Sequence, residues 1–146
     1  MPFNDTIVEL AASLARLPNP KEDRFRSLYN AVLNHWFPSA SGFIVEPQVR
    51  DDGQPRFVIV RMVGSHSRIA LVVELKRPSK WSAGGSVVAF NELKDYIEAQ
   101  FDPTIQPHTI YGIVGFGLRW KGFSMTSTEY DWITVVPWHV SAHSST

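Results

Sequence analysis

The chain contains no cysteine. A disulfide framework and a thiolate zinc site are therefore excluded, and a reducing compartment is compatible with the composition. No apolar run approaches the ~20 residues that a membrane-spanning helix needs. The opening MPFNDTIVEL carries Asp5 and Glu9 and no basic stretch, so no secretory signal is expected. Net charge is missing as well, because 14 basic and 14 acidic side chains cancel. A protein that coats nucleic acid nonspecifically needs many phosphate contacts, and this balance argues against one. The absences together lead us to expect an intracellular protein, cytoplasmic or nuclear, with no membrane partner.

What is present is ordinary for a globular protein. The 146 residues are 44% hydrophobic and 19% charged, enough for one domain with its own core. The charges are unevenly spread. Residues 50–80 hold 7 basic and 3 acidic side chains, whereas residues 81–146 hold 3 basic and 6 acidic. The middle of the chain is thus locally basic inside a neutral protein.

Hydrophobic spacing predicts an N-terminal helix over residues 5–17, with Ile7, Leu10, Leu14 and Leu17 on one stripe and Asn4 or Asp5 as cap. Pro-Asn-Pro at 18–20 breaks it, and Asn19 is placed to cap a second helix with Phe25, Leu28, Tyr29, Val32, Leu33 and Trp36 on its buried face. Strands are expected at 43–49, 56–63 and 69–76, with Asp51-Asp52-Gly53 as a hairpin turn and Gly64–Ser67 as a second turn. The third strand is almost unbroken in its apolar character, as a strand covered on both faces would be. A loop over 78–86 containing Gly84-Gly85 should precede a helix over 87–101, closed by Asp102-Pro103. Further strands are expected at 110–117 and 122–126 around a turn near Arg119-Trp120-Lys121, and a last extended segment at 132–137. Residues 139–146 read as a frayed tail. The order gives one α/β (α+β) domain over 1–146, a central mixed sheet flanked by helices.

The stretch ELKRP ends the third strand. Side chains alternate along a strand, so Glu74 and Lys76 share a face. A carboxylate there can hold Mg²⁺, and an ammonium can stabilise a phosphoryl transition state. With Glu74-Leu75-Lys76 on the third strand, a hairpin before it and AFNELKDYI after it, the chain resembles the PD-(D/E)XK, restriction endonuclease-like nuclease superfamily. The tract YGIVGFGLRWKGF, 111–123, is similar to the strand-turn-strand of fungal relatives. The resemblance implies a restriction endonuclease-like core and phosphodiester hydrolysis with Glu74 and Lys76 as catalytic residues. It also implies Mg²⁺ or Mn²⁺ at Glu74, for which Asp52 is our candidate second ligand, and Arg56, Arg77, Lys80, Arg119 and Lys121 are candidate nucleic-acid contacts because arginine and lysine bind phosphates without a metal. Many nucleases of this fold act as homodimers, so a homodimer is a further expectation. Glu92 sits near where some members carry glutamine.

The family pattern places an aspartate, the other main metal ligand, where this chain has Arg56. Unit charges ~4 Å apart interact by ~4 kcal/mol at an effective dielectric near 20, so the reversal turns attraction of a cation into repulsion. Three readings stay open. The fold is kept but hydrolysis lost, with Arg56 salt-bridged to Glu74. Alternatively, Asp52, Asp51, Glu46, Asp23 or Glu22 replaces the missing acid. In the third reading the positions do not correspond. The expected function is accordingly a nuclease-fold protein acting on nucleic acid with a degenerate metal site. The alternative is a catalytically inactive binding module, whether effector, inhibitor or decoy.

Other residues carry weaker signals. His139 and His143 have i, i+4 spacing but lie beside a polar tail with no HExxH context, His66 lies in a turn, and His35 reads as a core edge. Gly84-Gly85 lacks the Gly-Lys-Ser/Thr of a nucleotide loop and reads as a connector. Trp120, between Arg119 and Lys121, is placed to stack a base or simply to pack. Tyr96 reads as core.

Overall fold

The computed structural model describes residues 3–101, 108–128 and 131–140. Strands β1 (Phe43–Val49), β2 (Pro55–Val63), β3 (His66–Lys76), β4 (Thr109–Phe116), β5 (Arg119–Thr128) and β6 (Asp131–Val140) form one mixed sheet, hydrogen-bonded in sequence order. All neighbours are antiparallel except β3 and β4, which are parallel. A parallel pair needs a crossover, and the helix supplying it is the longest in the chain, Ala83–Gln100. Two shorter helices, α1 (Asp5–Ala15) and α2 (Arg26–Trp36), precede the sheet, so the crossover helix is α3.

The sheet separates two apolar clusters. On one face Phe57, Ile59, Leu71, Val73 and Leu75 pack with Leu28 and Leu33 of α2 and Ile7 and Leu14 of α1. On the other, Val72, Ile110, Val114, Phe116 and Phe123 pack with Ala89, Leu93 and Ile97 of α3. The expectation for the third strand holds, since residues 71 to 76 of β3 are buried on both faces. Alternation along β3 puts Glu74 and Lys76 on the α3 side with Val72.

Several local expectations are corrected. The first helix stops at Ala15, and Leu17 is exposed. Its cap is Asn4, whose Oδ1 accepts from the Ile7 N–H at 3.0 Å. Asn19 does not cap the second helix; it has φ 37°, its Oδ1 accepts from the Ser79 N–H at 3.4 Å, and a 3₁₀ turn at Glu22–Phe25 leads into α2 instead. Trp36 is half exposed, not part of the buried face. Gly84 and Gly85 lie inside the first turn of α3, not in a loop, and Ser82 caps that helix by accepting from the Gly85 N–H at 3.2 Å. Two glycines weaken the helical signal, but a Cβ at Gly85 would stand 2.6 Å from the Lys80 carbonyl oxygen. The turn between β4 and β5 is at Gly117 (φ 67°), so Arg119, Trp120 and Lys121 begin a strand. His66 starts β3, and His139 lies in β6, which continues to Val140. Asp102, Pro103 and residues 141–146, including His143, lie outside the described residues.

Candidate functional site

Register brings the singled-out groups together. Arg56 of β2 is the direct cross-strand partner of Glu74 of β3, whose neighbour on β4 is Val114, and Val114 in turn pairs with Lys121 of β5. Paired residues share a face, so one row runs Arg56, Glu74, Val114, Lys121 beneath α3.

Glu74 is 1% exposed, and guanidinium groups hold both of its oxygens. Arg56 donates to Oε1 from Nη2 at 2.7 Å and from Nε at 3.1 Å. Arg50, at the end of β1, donates to Oε2 from Nη1 at 2.9 Å. The other side of Arg56 is covered by α3, where its Cζ lies 3.6 Å from the centre of the Tyr96 ring. Desolvating a carboxylate this completely costs several kcal/mol unless paired charges and hydrogen bonds compensate, and here two cations do so.

The network extends through the β1–β2 turn. Arg50 N–H donates to the Gln54 carbonyl at 2.9 Å and Gly53 N–H to the Arg50 carbonyl at 2.8 Å, closing the hairpin expected at Asp51–Gly53. This closure delivers three side chains to the cluster. Arg50 bridges Glu74, Glu92 of α3 (3.1 Å) and Asp52 (3.3 Å). Gln54 Oε1 accepts from Lys76 Nζ at 2.6 Å, and Lys76 also donates to Glu92 Oε2 at 2.9 Å. Three cations, Arg50, Arg56 and Lys76, thus face three carboxylates, Asp52, Glu74 and Glu92.

These contacts set protonation. Burial disfavours the Arg50 charge, but attraction to Glu74, Glu92 and Asp52 outweighs it and raises the guanidinium above its ordinary value. Burial also pushes Glu92 up, and hydrogen bonds from Lys76 and Arg50 more than reverse this, leaving the carboxyl below its ordinary value. Between the depressed folded value and the usual ~4.3, the unfolded chain binds a proton that the folded chain refuses. The Glu92 contribution is therefore complete above pH ~4.3 and lost as pH falls through the folded value. Urea denaturation at a series of pH values should show stability falling on acidification through this window, with a shallower fall in Glu92→Gln. Equal slopes in the two proteins would contradict the assignment.

The cluster does not fit a divalent metal. Mg²⁺ requires oxygen ligands near 2.0–2.1 Å in octahedral array, and Mn²⁺ is also an oxygen-site ion. Both Glu74 oxygens are taken by guanidinium nitrogens, and Asp52 bonds Arg50 and the Gln54 N–H. Of the other acids considered, Glu22 pairs with Arg77 at 3.3 Å, while Glu46, Asp51 and Asp23 are exposed. Among the described residues no three His, Asp or Glu side chains are arranged to hold a metal.

The residues expected to meet nucleic acid separate into two groups. Arg56 is committed to Glu74 and Tyr96, and Arg77 to Glu22. Arg119 and Lys121 instead lie over the ring of Trp81, beside the start of α3, and Lys80 is an exposed residue of the preceding 3₁₀ turn. Sequence reasoning missed Arg50 and Gln54 as members of the cluster; Tyr96, read as core, does pack against the α3-side core and also covers Arg56. The available signal was the i, i+4 spacing of Glu92 and Tyr96, which puts both on one face of α3. No family model, curated protein or solved structure matches the chain. Among the described residues no helix is long and apolar enough to cross a membrane.

Proposed function

We propose that this chain is a non-hydrolytic binding domain, arranged like a PD-(D/E)XK nuclease, in which a network of side-chain ion pairs stands where that family holds its metal. One observation carries this reading: the carboxylate of Glu74 gives each oxygen to a guanidinium, Arg56 on one side and Arg50 on the other. A divalent ion at Glu74 would have to displace at least one of them from a buried pair and then sit beside the remaining positive charge. Lys76, the residue that would stabilise a charged transition state, is neutralised by Glu92 and held by Gln54. The function this supports is recognition of nucleic acid without cutting it, by cations outside the cluster.

The test is cleavage of plasmid and single-stranded substrates with Mg²⁺ and with Mn²⁺. The purified protein should release no more product than Glu74→Ala does. Metal-dependent cleavage by the wild-type chain that Glu74→Ala abolishes would overturn the reading.

A further inference from the structure

We infer that the tip of the β2–β3 hairpin, through the cross-strand pair Arg61 and Arg68, is a contact for the phosphate backbone of duplex DNA. This deepens the non-hydrolytic reading and rests on it only for the class of partner and for placing the contact outside the Glu74 cluster.

The hairpin projects from the sheet. Pairing of β1 with β2 ends at Phe43 and Arg61, and pairing of β3 with β4 begins only at Leu71 and Tyr111. Residues 62–70 therefore run on as a two-stranded ribbon with no third strand beside it. Val63 pairs with His66, so Gly64 and Ser65 alone make the turn, and Gly64 supplies the positive φ of 62° that so tight a turn needs. Arg56 and Glu74 sit at the other end of the same two strands, so the tip points away from the ion-pair cluster.

Register fixes what the ribbon displays. Arg61 is the direct partner of Arg68, and Val63 of His66. By alternation these four residues share one face, and Met62 and Ser67 take the other. Residues 61–67 are exposed and Arg68 is half-buried. Like charges directly opposite each other destabilise a strand pair, and among the described residues no acid offsets them. The cations in the ion pairs there are Arg50, Arg56, Lys76, Arg77 and Lys94, not Arg61 or Arg68. No Asp or Glu occurs between Asp52 and Glu74 in the sequence. Glu46 of the neighbouring strand pairs with Val58, which pairs with Val72, so it belongs to the α3 face of the sheet and Arg61 to the opposite one.

Two guanidiniums set opposite each other with no carboxylate select an external anion, and phosphate oxygens accept from arginine in charge-assisted bonds. Three features narrow the partner. A two-stranded ribbon with a two-residue tip fits the major groove of B-form DNA, which is ~12 Å wide. No Phe, Tyr or Trp lies between Phe57 and Trp81, so the hairpin lacks the stacking surface that single-strand binders use. The exposed Met62 and Val63 lie on opposite faces, so the tip has no continuous apolar surface to enter lipid.

Fluorescence anisotropy with a labelled DNA duplex, over a series of salt concentrations, tests this. Arg68→Glu removes one phosphate contact and pairs the remaining arginine with an acid. It should weaken binding by about tenfold or more and make the slope of log K on log salt shallower by about 2. Its melting temperature should not fall, because a like pair becomes an opposite pair, so a thermal melt separates loss of contact from loss of fold. Arg16→Glu, at the C-terminal end of α1, makes the same change in net charge and should leave the affinity within about twofold. Unchanged affinity and slope in Arg68→Glu would overturn the inference, as would equal weakening by Arg16→Glu. So would single-stranded DNA, polyglutamate or phosphatidylserine vesicles that bind as tightly as the duplex. A wild-type protein that binds no duplex at low salt would overturn it too, yet leave the ion-pair reading of Glu74 standing. Glu74-dependent cleavage would do the reverse.

Discussion

Glu74→Ala should destabilise the fold by about 3–5 kcal/mol, because it leaves the Arg56 and Arg50 guanidiniums in a buried cluster without the carboxylate they share. Arg56 suffers most. Its side chain is 12% exposed, it is covered by Tyr96, and Glu74 is its partner in both of its hydrogen bonds described above. Arg50 keeps Glu92 and Asp52. The cost should therefore lie in the repulsion and desolvation of Arg56 and be reversible at that residue. Glu74→Leu combined with Arg56→Met removes both members of the cross-strand pair. Apolar replacement of a buried ion pair is often neutral or stabilising, so the double variant should recover most of the loss. Urea denaturation of the wild type, Glu74→Ala and the double variant measures this directly. A loss below about 1 kcal/mol in Glu74→Ala would mean that the pair behaves as a surface salt bridge and that the cluster is not buried as described.

Gly115→Ala is the second large effect, on the opposite face of the sheet. A methyl group there would collide with the Tyr29 hydroxyl and ring, the Cε1 atom standing only 2.8 Å from the new Cβ. Tyr29 cannot swing aside freely, because its hydroxyl donates to the Gly117 carbonyl at 2.7 Å and links α2 to the end of β4. Burial raises its phenolic pKa well above the ordinary tyrosine value, so it stays a donor through the neutral range. Overpacking a closed site of this kind costs about 1–3 kcal/mol, and each kcal/mol lowers Tm by about 2–4 °C in a chain of this size. Gly115→Ala should therefore melt several degrees below the wild type. Tyr29→Phe should not rescue it, because the ring carbons still clash, whereas Tyr29→Leu should rescue it in part. Rescue by Tyr29→Phe would show that the hydroxyl alone sets the spacing.

The sheet was the legible part of the fold. The segment Phe43–Val49 and the almost unbroken apolar run in Ile69–Leu75 both translate directly into strands, and Asp51-Asp52-Gly53 into the turn between β1 and β2. Helix boundaries were less legible, for reasons visible at single residues. Gly84 and Gly85 depress local helix propensity, yet the capping Ser82 and the close approach of Lys80 require a small residue at 85. Pro-Asn-Pro announces a break but not the 3₁₀ turn that follows it. At the site, Glu74 and Lys76 could be placed on one face from the strand period alone, and opposing Arg56 followed from the hairpin. Arg50 could not be placed that way. It enters through a turn, and its three carboxylate partners lie 2, 24 and 42 residues away in sequence. Local period carries no information about such contacts, so only the three-dimensional path shows that one guanidinium joins Asp52, Glu74 and Glu92.

The central claim is that positive side chains, not a metal ion, are the counterions of Glu74. A crystal of the protein soaked in Mn²⁺, measured for anomalous scattering, tests it most directly. The account predicts no manganese peak within coordination distance of Glu74, with the Arg50 and Arg56 nitrogens still hydrogen-bonded to its two oxygens. A manganese ion bound to that carboxylate, with Arg50 or Arg56 swung away, would contradict it.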